Sequence, residues 1–191
     1  MKNRKANRLK AFDYSSDAFY FVTSCTQNKI HYFGEVEGGI MRLNALGEIA
    51  QKQWHWLADQ YPYVALHGFV VMPNHIHGII QINADAAVGT GRDLSVPDPD
   101  LSMPNLSLHQ MECNSPERKP KIKSLSELMG AYKTTVSKEI HRIGHANFAW
   151  HRSFHDHVIR NDEGYRKIAE YIQHNPQLWA DDCYFDDGSA L

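Results

Sequence analysis

The chain has 191 residues and is 42% hydrophobic, which is enough for the core of one domain with an insertion or a tail. Its formal net charge of −2 excludes a uniformly basic nucleic-acid binder, so any contact with phosphates must depend on local charge. Three cysteines without metal-ligand spacing, no apolar run long enough to span a bilayer and no signal-peptide pattern predict a cytosolic protein with reduced thiols.

The first part of the chain predicts an arm, a strand and a loop. Residues 1–17 carry a cluster of lysines and arginines, which favours a basic arm that touches phosphates, although a solvated terminus explains these charges equally well. Residues 18–26 are rich in β-branched and aromatic side chains and are predicted as the first strand. Residues 28–39 are predicted as a loop because three glycines interrupt them.

A helix and two strands follow. Asn44 can cap a helix that runs to about Gln60, and apolar side chains at helical spacing give this helix one buried stripe. Tyr61 and Pro62 follow its end, and the proline prevents its continuation. Residues 64–72 and 75–82 are predicted as antiparallel neighbours, because the Pro-Asn break between them is short enough for a tight turn.

The second of these strands begins with a His-x-His pair. Side chains alternate between the two faces of a strand, so His75 and His77 point the same way and Ile76 points the other. Two imidazoles side by side on a rigid strand form half of a divalent-metal site. Ordinary hydrogen-bonded histidines are the alternative, but two polar rings buried on a sheet face require a reason for their burial.

Residues 84–123 form a flexible insertion in this interpretation, because they are rich in Pro, Asp, Ser, Gly and Asn and lack a sustained period; a functional lid is the alternative. Ser124 and Glu127 match a capping box that opens a second helix. Basic residues before and along this helix favour contact with a phosphate backbone, with a solvated helix face as the alternative. The candidates for such contacts are Lys119, Lys121, Lys123 and Lys133.

The C-terminal part predicts the last strand and a third helix. The strand lies in the second half of residues 148–160, and Asn161 or Asp162 caps a helix that ends near Asn175. The resulting order is that of an α+β domain with a ferredoxin-like βαββαβ antiparallel sheet, helices on one face and an added C-terminal helix. The domain is assigned to residues 18–180, and residues 181–191 form an acidic tail.

The third helix carries candidates for chemistry. Tyr171 and Asn175 are four residues apart and therefore lie one turn apart on the same helix face. If that face packs over His75 and His77, Asn175 can supply a third ligand to Mg²⁺ or Mn²⁺, while Tyr171 attacks a phosphodiester and becomes a covalent 5′-phosphotyrosine. Packing and a helix stop are the simpler explanation of these two residues.

Three segments taken in order resemble the REP-associated tyrosine transposases, single-tyrosine members of the HUH endonuclease superfamily that are related to small insertion-sequence transposases. They are residues 70–77 (VVMPNHIH), residues 154–161 (FHDHVIRN) and residues 171–176 (YIQHNP). The resemblance implies a metal-dependent enzyme of the cytoplasm and nucleoid that cuts and rejoins single-stranded DNA near hairpins. It implies His75 and His77 as metal ligands, Tyr171 as nucleophile and Asn175 as third ligand, and it leaves a homodimer open.

Two further candidates lie near the last strand. Arg160 is predicted to contact phosphate or to cap the site, and the second His-x-His pair, His155 and His157, favours packing or substrate contact over metal binding. Two alternatives to the transposase remain. One is a domesticated protein that binds DNA hairpins without catalysis, and the other is a metal-dependent phosphodiesterase that uses activated water. The substitution Tyr171→Phe would abolish cleavage only in the tyrosine enzyme.

Overall fold

The computed structural model describes residues 12–83 and 122–185, and their helices and strands follow the predicted order with one addition. Most of the predicted arm and insertion and the end of the tail, with Lys119 and Lys121, lie outside these residues. The elements are β1 (Ala18–Cys25), β2 (Gly34–Glu37), β3 (Ile40–Leu43), α1 (Ala45–Gln60), β4 (Val64–Met72), β5 (His75–Ile82), α2 (Leu125–Arg142), β6 (His155–Ile159) and α3 (Asp162–His174).

Four of the strands form one antiparallel sheet in the order β4-β5-β1-β6. The hairpin predicted at Pro73-Asn74 joins β4 to β5, and β1 lies between β5 and the last strand. This order and the helices α1 and α2 confirm the predicted ferredoxin-like α+β domain. Among the described residues, no helix is long and apolar enough to cross a membrane.

The helices α1 and α2 cover one face of this sheet and enclose the main core. Asn44 caps α1 by accepting hydrogen bonds from two backbone N–H groups at 3.0 Å, and Ser124 with Glu127 forms the predicted capping box at the start of α2. At the centre of the core, the Trp54 ring stacks on Phe69 with centroids 4.4 Å apart and meets Tyr132 edge-on at 5.5 Å. These buried aromatic contacts fix the two helices against the sheet.

The helix α3 lies on the opposite face and packs mainly on β4 and β5. Its Ile172 is buried against Ile79 and Ile159, which form a second and smaller apolar cluster. Asn161 caps this helix by accepting the Gly164 N–H at 2.8 Å. The added C-terminal helix therefore contacts the face on which β5 presents its odd-numbered residues.

The predicted loop over residues 28–39 was wrong in its second half, where β2 and β3 form a separate two-stranded sheet. Gly38 and Gly39 connect these strands with φ values of 57° and 77°. A tight hairpin turn needs positive φ at both of its central residues, and glycine adopts such values without strain. The glycines that indicated a loop are the turn of a hairpin whose strands of four residues are too short to show a period.

Candidate functional site

The His-x-His pair of β5 lies side by side beneath α3. His75 and His77 are almost completely buried, and their Nε2 atoms are 3.0 Å apart. The Nδ1 of His75 lies 2.8 Å from the Asn74 side-chain oxygen, and the Nδ1 of His77 lies 2.8 Å from the Thr23 hydroxyl. Because the outer nitrogen of each ring is held by a neighbour, both Nε2 atoms are directed at the same point.

Burial keeps both imidazoles neutral. It lowers the pKa of His77 to about 4, although the nearby Asp182 acts in the opposite direction. Burial also lowers the pKa of His75 well below its ordinary value, and the positive charges of His77 and Lys29 would lower it further. A neutral imidazole has the free lone pair that a metal ion requires, so neither ring must first lose a proton at neutral pH.

Tyr171 of α3 reaches this pair, and Asn175, one turn later, is linked to it through Asp182. The Tyr171 hydroxyl lies 3.2 Å from Nε2 of His77, and the side chain is 37% exposed, so it is open to solvent on its outer side. Asn175 is completely buried, and its side-chain oxygen has no hydrogen-bond partner among the described residues. A buried amide oxygen without a partner is costly unless a ligand occupies the space in front of it.

Asp182 is a functional candidate that the sequence reasoning missed. Its carboxylate accepts hydrogen bonds from the Asn175 amide at 2.7 Å and from the Tyr171 hydroxyl at 3.3 Å. It also belongs with His75 and His77 to a group whose ligand atoms lie within 4.8 Å of one another. The residue follows the end of α3, where no periodic pattern indicates which way a side chain points.

Aromatic side chains hold the segment of Asp182 over the site. Trp179 is buried and lies 5.8 Å from the His75 ring, and Tyr184 lies 4.8 Å from the same ring. The side-chain amide of Asn74 donates to the Tyr184 carbonyl at 2.9 Å. The side chain of Asn74, in the turn before β5, therefore contacts both His75 and the segment that carries Asp182.

The assembled donor set fits a divalent cation. It consists of two imidazole nitrogens, one carboxylate oxygen and the unpartnered amide oxygen of Asn175. Imidazole suits transition-metal ions such as Zn²⁺ and Fe²⁺, whereas carboxylate and amide oxygens suit Mg²⁺ and Mn²⁺, so the donor set does not select one ion. His75, His77, Asp182 and Asn175 are thus the residues that could hold a metal ion.

The Tyr171 phenol is protonated in this arrangement. Its pKa is raised above the ordinary value, first by burial and then by the negative charge of Asp182. A phenol in this state needs assistance before it can act as a nucleophile. The same carboxylate that raises the pKa accepts the hydrogen bond of the hydroxyl at 3.3 Å and is therefore a base to which the proton can pass.

The three predicted DNA-binding residues in the described part of the chain have different surroundings. Lys123 lies over the Tyr61 ring at 5.4 Å, on the side of α1 and α2. Lys133 is half-buried and donates to the carbonyls of His151 and Arg152 at 2.6 and 3.3 Å. Arg160 is exposed where β6 ends, on the way to α3.

Comparison with known proteins finds similarity in sequence and in fold, while no protein-family model matches the chain. An uncharacterised protein of Haemophilus influenzae is 31% identical over 185 residues, which cover 97% of this chain and 94% of that protein. The structure of a REP-associated tyrosine transposase bound to a REP hairpin is 17% identical and covers 91% of this chain and 73% of that one, with a TM-score of 0.53. The chain therefore belongs to one family with the Haemophilus protein, and its fold is that of the REP-associated tyrosine transposases.

Proposed function

We propose that this protein is a metal-dependent transposase-type nuclease that cuts and rejoins single-stranded DNA beside hairpins, with Tyr171 as nucleophile. The observation that carries the proposal is the hydroxyl of Tyr171 3.2 Å from His77, next to a group of possible metal ligands and open to solvent. The structural neighbour supports the choice of substrate, because it binds a hairpin of the REP type.

In the proposal, His75, His77 and Asn175 hold Mg²⁺ or Mn²⁺, and Asp182 is available as a further ligand. The bound ion would supply positive charge at the phosphate and at the departing 3′-oxygen. The contribution of the chain itself is geometric: the turn at Asn74, the Thr23 hydroxyl and the end of α3 hold the donors in place before the substrate arrives.

The cleavage step is a transesterification. The oxygen of Tyr171 forms a bond to phosphorus while the bond between phosphorus and the 3′-oxygen breaks, and the 3′-oxygen leaves with the electron pair and takes up a proton from water. The phenolic proton passes to the carboxylate of Asp182, which lies 3.3 Å from the hydroxyl. The phosphotyrosine ester keeps the energy of the original bond, so a 3′-hydroxyl can attack it and rejoin the strand.

The test uses a DNA hairpin with single-stranded flanks, labelled at its 3′ end and incubated with the full chain and Mn²⁺ or Mg²⁺. We expect a labelled adduct that survives denaturing electrophoresis, and we expect none with Tyr171→Phe. Tyr165→Phe is the matched control, because Tyr165 lies on the same helix but bonds to His67 instead. Cleavage without an adduct would indicate a phosphodiesterase that uses water, and binding without cleavage would indicate a hairpin-binding protein.

A further inference from the structure

The helix α3 leaves part of its sheet face open. It packs mainly on β4 and β5 and reaches β6 at Ile159, whereas the remainder of β1 and β6 continues the same face beyond it. In that part of the face, Phe21 lies directly opposite His157, and Thr23 lies opposite His155. Both histidines are exposed, although the His-x-His pair on β5 two strands away is buried. We refer to the surface formed by Phe21, His155 and His157 as the open half-face.

The open half-face begins beside the proposed nucleophile. The Phe21 ring lies nearly parallel to the His77 ring, with centroids 5.4 Å apart and an interplanar angle of 24°. The same ring meets Tyr171 edge-on at 6.2 Å. A single DNA strand that extends from Tyr171 in this direction therefore reaches Phe21 of β1 first and His157 of β6 next.

The charge of this surface suits a phosphate backbone. Neither β1 nor β6 places a carboxylate on this face, because Asp156 of β6 pairs with Val22 and shares the orientation of that core residue. Exposed arginines stand at both ends of β6: Arg152 precedes the strand and Arg160 follows it. The nearest carboxylates that line a cavity with Arg160 are Asp17 and Asp162, at the end remote from Tyr171.

The second His-x-His pair lacks the surroundings of a metal site. Among the described residues, His75, His77 and Asp182 form a group whose side chains could hold a metal ion together. Neither His155 nor His157 belongs to such a group there. Neighbouring flat rings on an antiparallel sheet, here the half-buried Phe21 and the exposed His157, are instead the kind of surface on which proteins stack unpaired bases. The length of β6, about 17 Å for five residues, accommodates a few nucleotides.

We infer that the open half-face binds the single-stranded DNA next to the cleaved bond, with unpaired bases stacked on Phe21 and His157 and phosphates at Arg152 and Arg160. This inference rests on the proposed function for the direction of the strand towards Tyr171. It assigns a role to the segment at residues 154–161, which the nuclease chemistry leaves without one.

The test measures binding and needs no cleavage. The probes are a fluorescein-labelled DNA hairpin with four thymidines on each side of the stem and the same hairpin without flanks, titrated with the full chain in EDTA and followed by fluorescence anisotropy. His157→Ala should weaken binding of the flanked hairpin about tenfold and leave binding of the blunt hairpin unchanged, as expected for the loss of one stacked base. His157→Tyr should restore binding, because a phenol ring also stacks.

His55→Ala is the matched control, because His55 is an exposed histidine on α1, on the other side of the molecule. It should bind both hairpins as the unsubstituted chain does. The inference is overturned if His157→Ala binds the flanked hairpin normally, or if it loses affinity for both hairpins equally. An active nuclease with normal flank binding in His157→Ala would remove this inference alone, whereas impaired flank binding without any tyrosine adduct would remove the proposed function alone.

Discussion

The two faces of the four-stranded sheet differ in what they bury. On the face covered by α1 and α2, β5 contributes Ile76 and Ile80 to a closed apolar core. On the other face, the same strand contributes His75 and His77, which are equally buried but are bonded to polar neighbours. Because alternate residues of a strand point in opposite directions, one segment can serve the core and the candidate site at once.

The difference separates stability from chemistry. Burial of apolar surface stabilises the fold by roughly 25 cal/mol per Å², so the face of α1 and α2 supplies most of the stabilisation. The face of α3 has a small apolar cluster around Ile172 and otherwise holds imidazoles, an amide and a carboxylate in fixed positions. Substitutions on the first face should therefore unfold the protein, and substitutions on the second should remove function from a folded protein.

The largest expected effect is that of Trp54→Ala on the closed face. The substitution removes a completely buried ring that contacts Phe69 and Tyr132, and it should lower the free energy of unfolding by about 3–5 kcal/mol. Urea denaturation followed by circular dichroism measures this loss. Trp54→Phe is the control and should lose much less, because it keeps an aromatic ring and removes an indole N–H that is buried without a partner among the described residues. Equal losses for both variants would contradict this account of the core.

His77→Ala on the other face should leave the fold intact and remove metal binding. Loss of one of two imidazoles should weaken Mn²⁺ binding at least about 100-fold, since even indirect partners of a ligand contribute about 10–100-fold. Mn²⁺ should raise the melting temperature of the unsubstituted chain by mass action and leave that of the variant unchanged.

His157→Ala provides the matched control for metal binding, because it removes an exposed histidine from the same sheet face without touching the buried pair. Its melting temperature should rise with Mn²⁺ as that of the unsubstituted chain does. A normal Mn²⁺ response in His77→Ala would show that the ion binds elsewhere, and it would remove the metal ligands from the proposed function.

Asp182→Asn should have an intermediate effect on the tyrosine reaction. The amide keeps a hydrogen-bonding group near Tyr171 but cannot take up the phenolic proton, so the rate of adduct formation should fall about 10²-fold, as for the loss of a general base. Adduct formation under single-turnover conditions measures this rate, and affinity for the flanked hairpin should not change. A faster reaction in Asp182→Asn would indicate that this carboxylate restrains Tyr171 and does not assist it.

The sequence predicts those parts of the site that depend on local periodicity. The alternation of β5 places His75 and His77 on one face, and the helical turn between Tyr171 and Asn175 places both on another, so one packing assumption brings all four together. Helix caps and the turn at Pro73-Asn74 likewise predict the positions of α1, α2, β4 and β5 because their signals are contained in a few neighbouring residues.

Other parts of the site depend on contacts between distant segments. Asp182 reaches the site because Trp179 and Tyr184 pack on the histidines, and nothing in the acidic tail itself indicates that packing. The open half-face could not be predicted from the sequence either, because it depends on where α3 lies across the sheet. The second His-x-His pair could be recognised in the sequence, but its exposure could not.

The smallest expected effect concerns Lys133, which connects α2 to the segment before β6. Its ammonium group donates to the carbonyls of His151 and Arg152, in the segment that leads to β6. Lys133→Met should lower the free energy of unfolding by about 1–2 kcal/mol through the loss of these hydrogen bonds. It should weaken binding of the flanked hairpin only slightly, because the lysine positions Arg152 and has little ammonium surface left for phosphate.

Lys138→Met, an exposed change on the same helix, is the control and should alter neither the free energy of unfolding nor the binding of the flanked hairpin. The contrary outcome is that Lys133→Met weakens binding of flanked and blunt hairpins equally and reduces the slope of log K against log salt concentration by about one. That result would show that Lys133 contacts phosphate directly, as the sequence predicts.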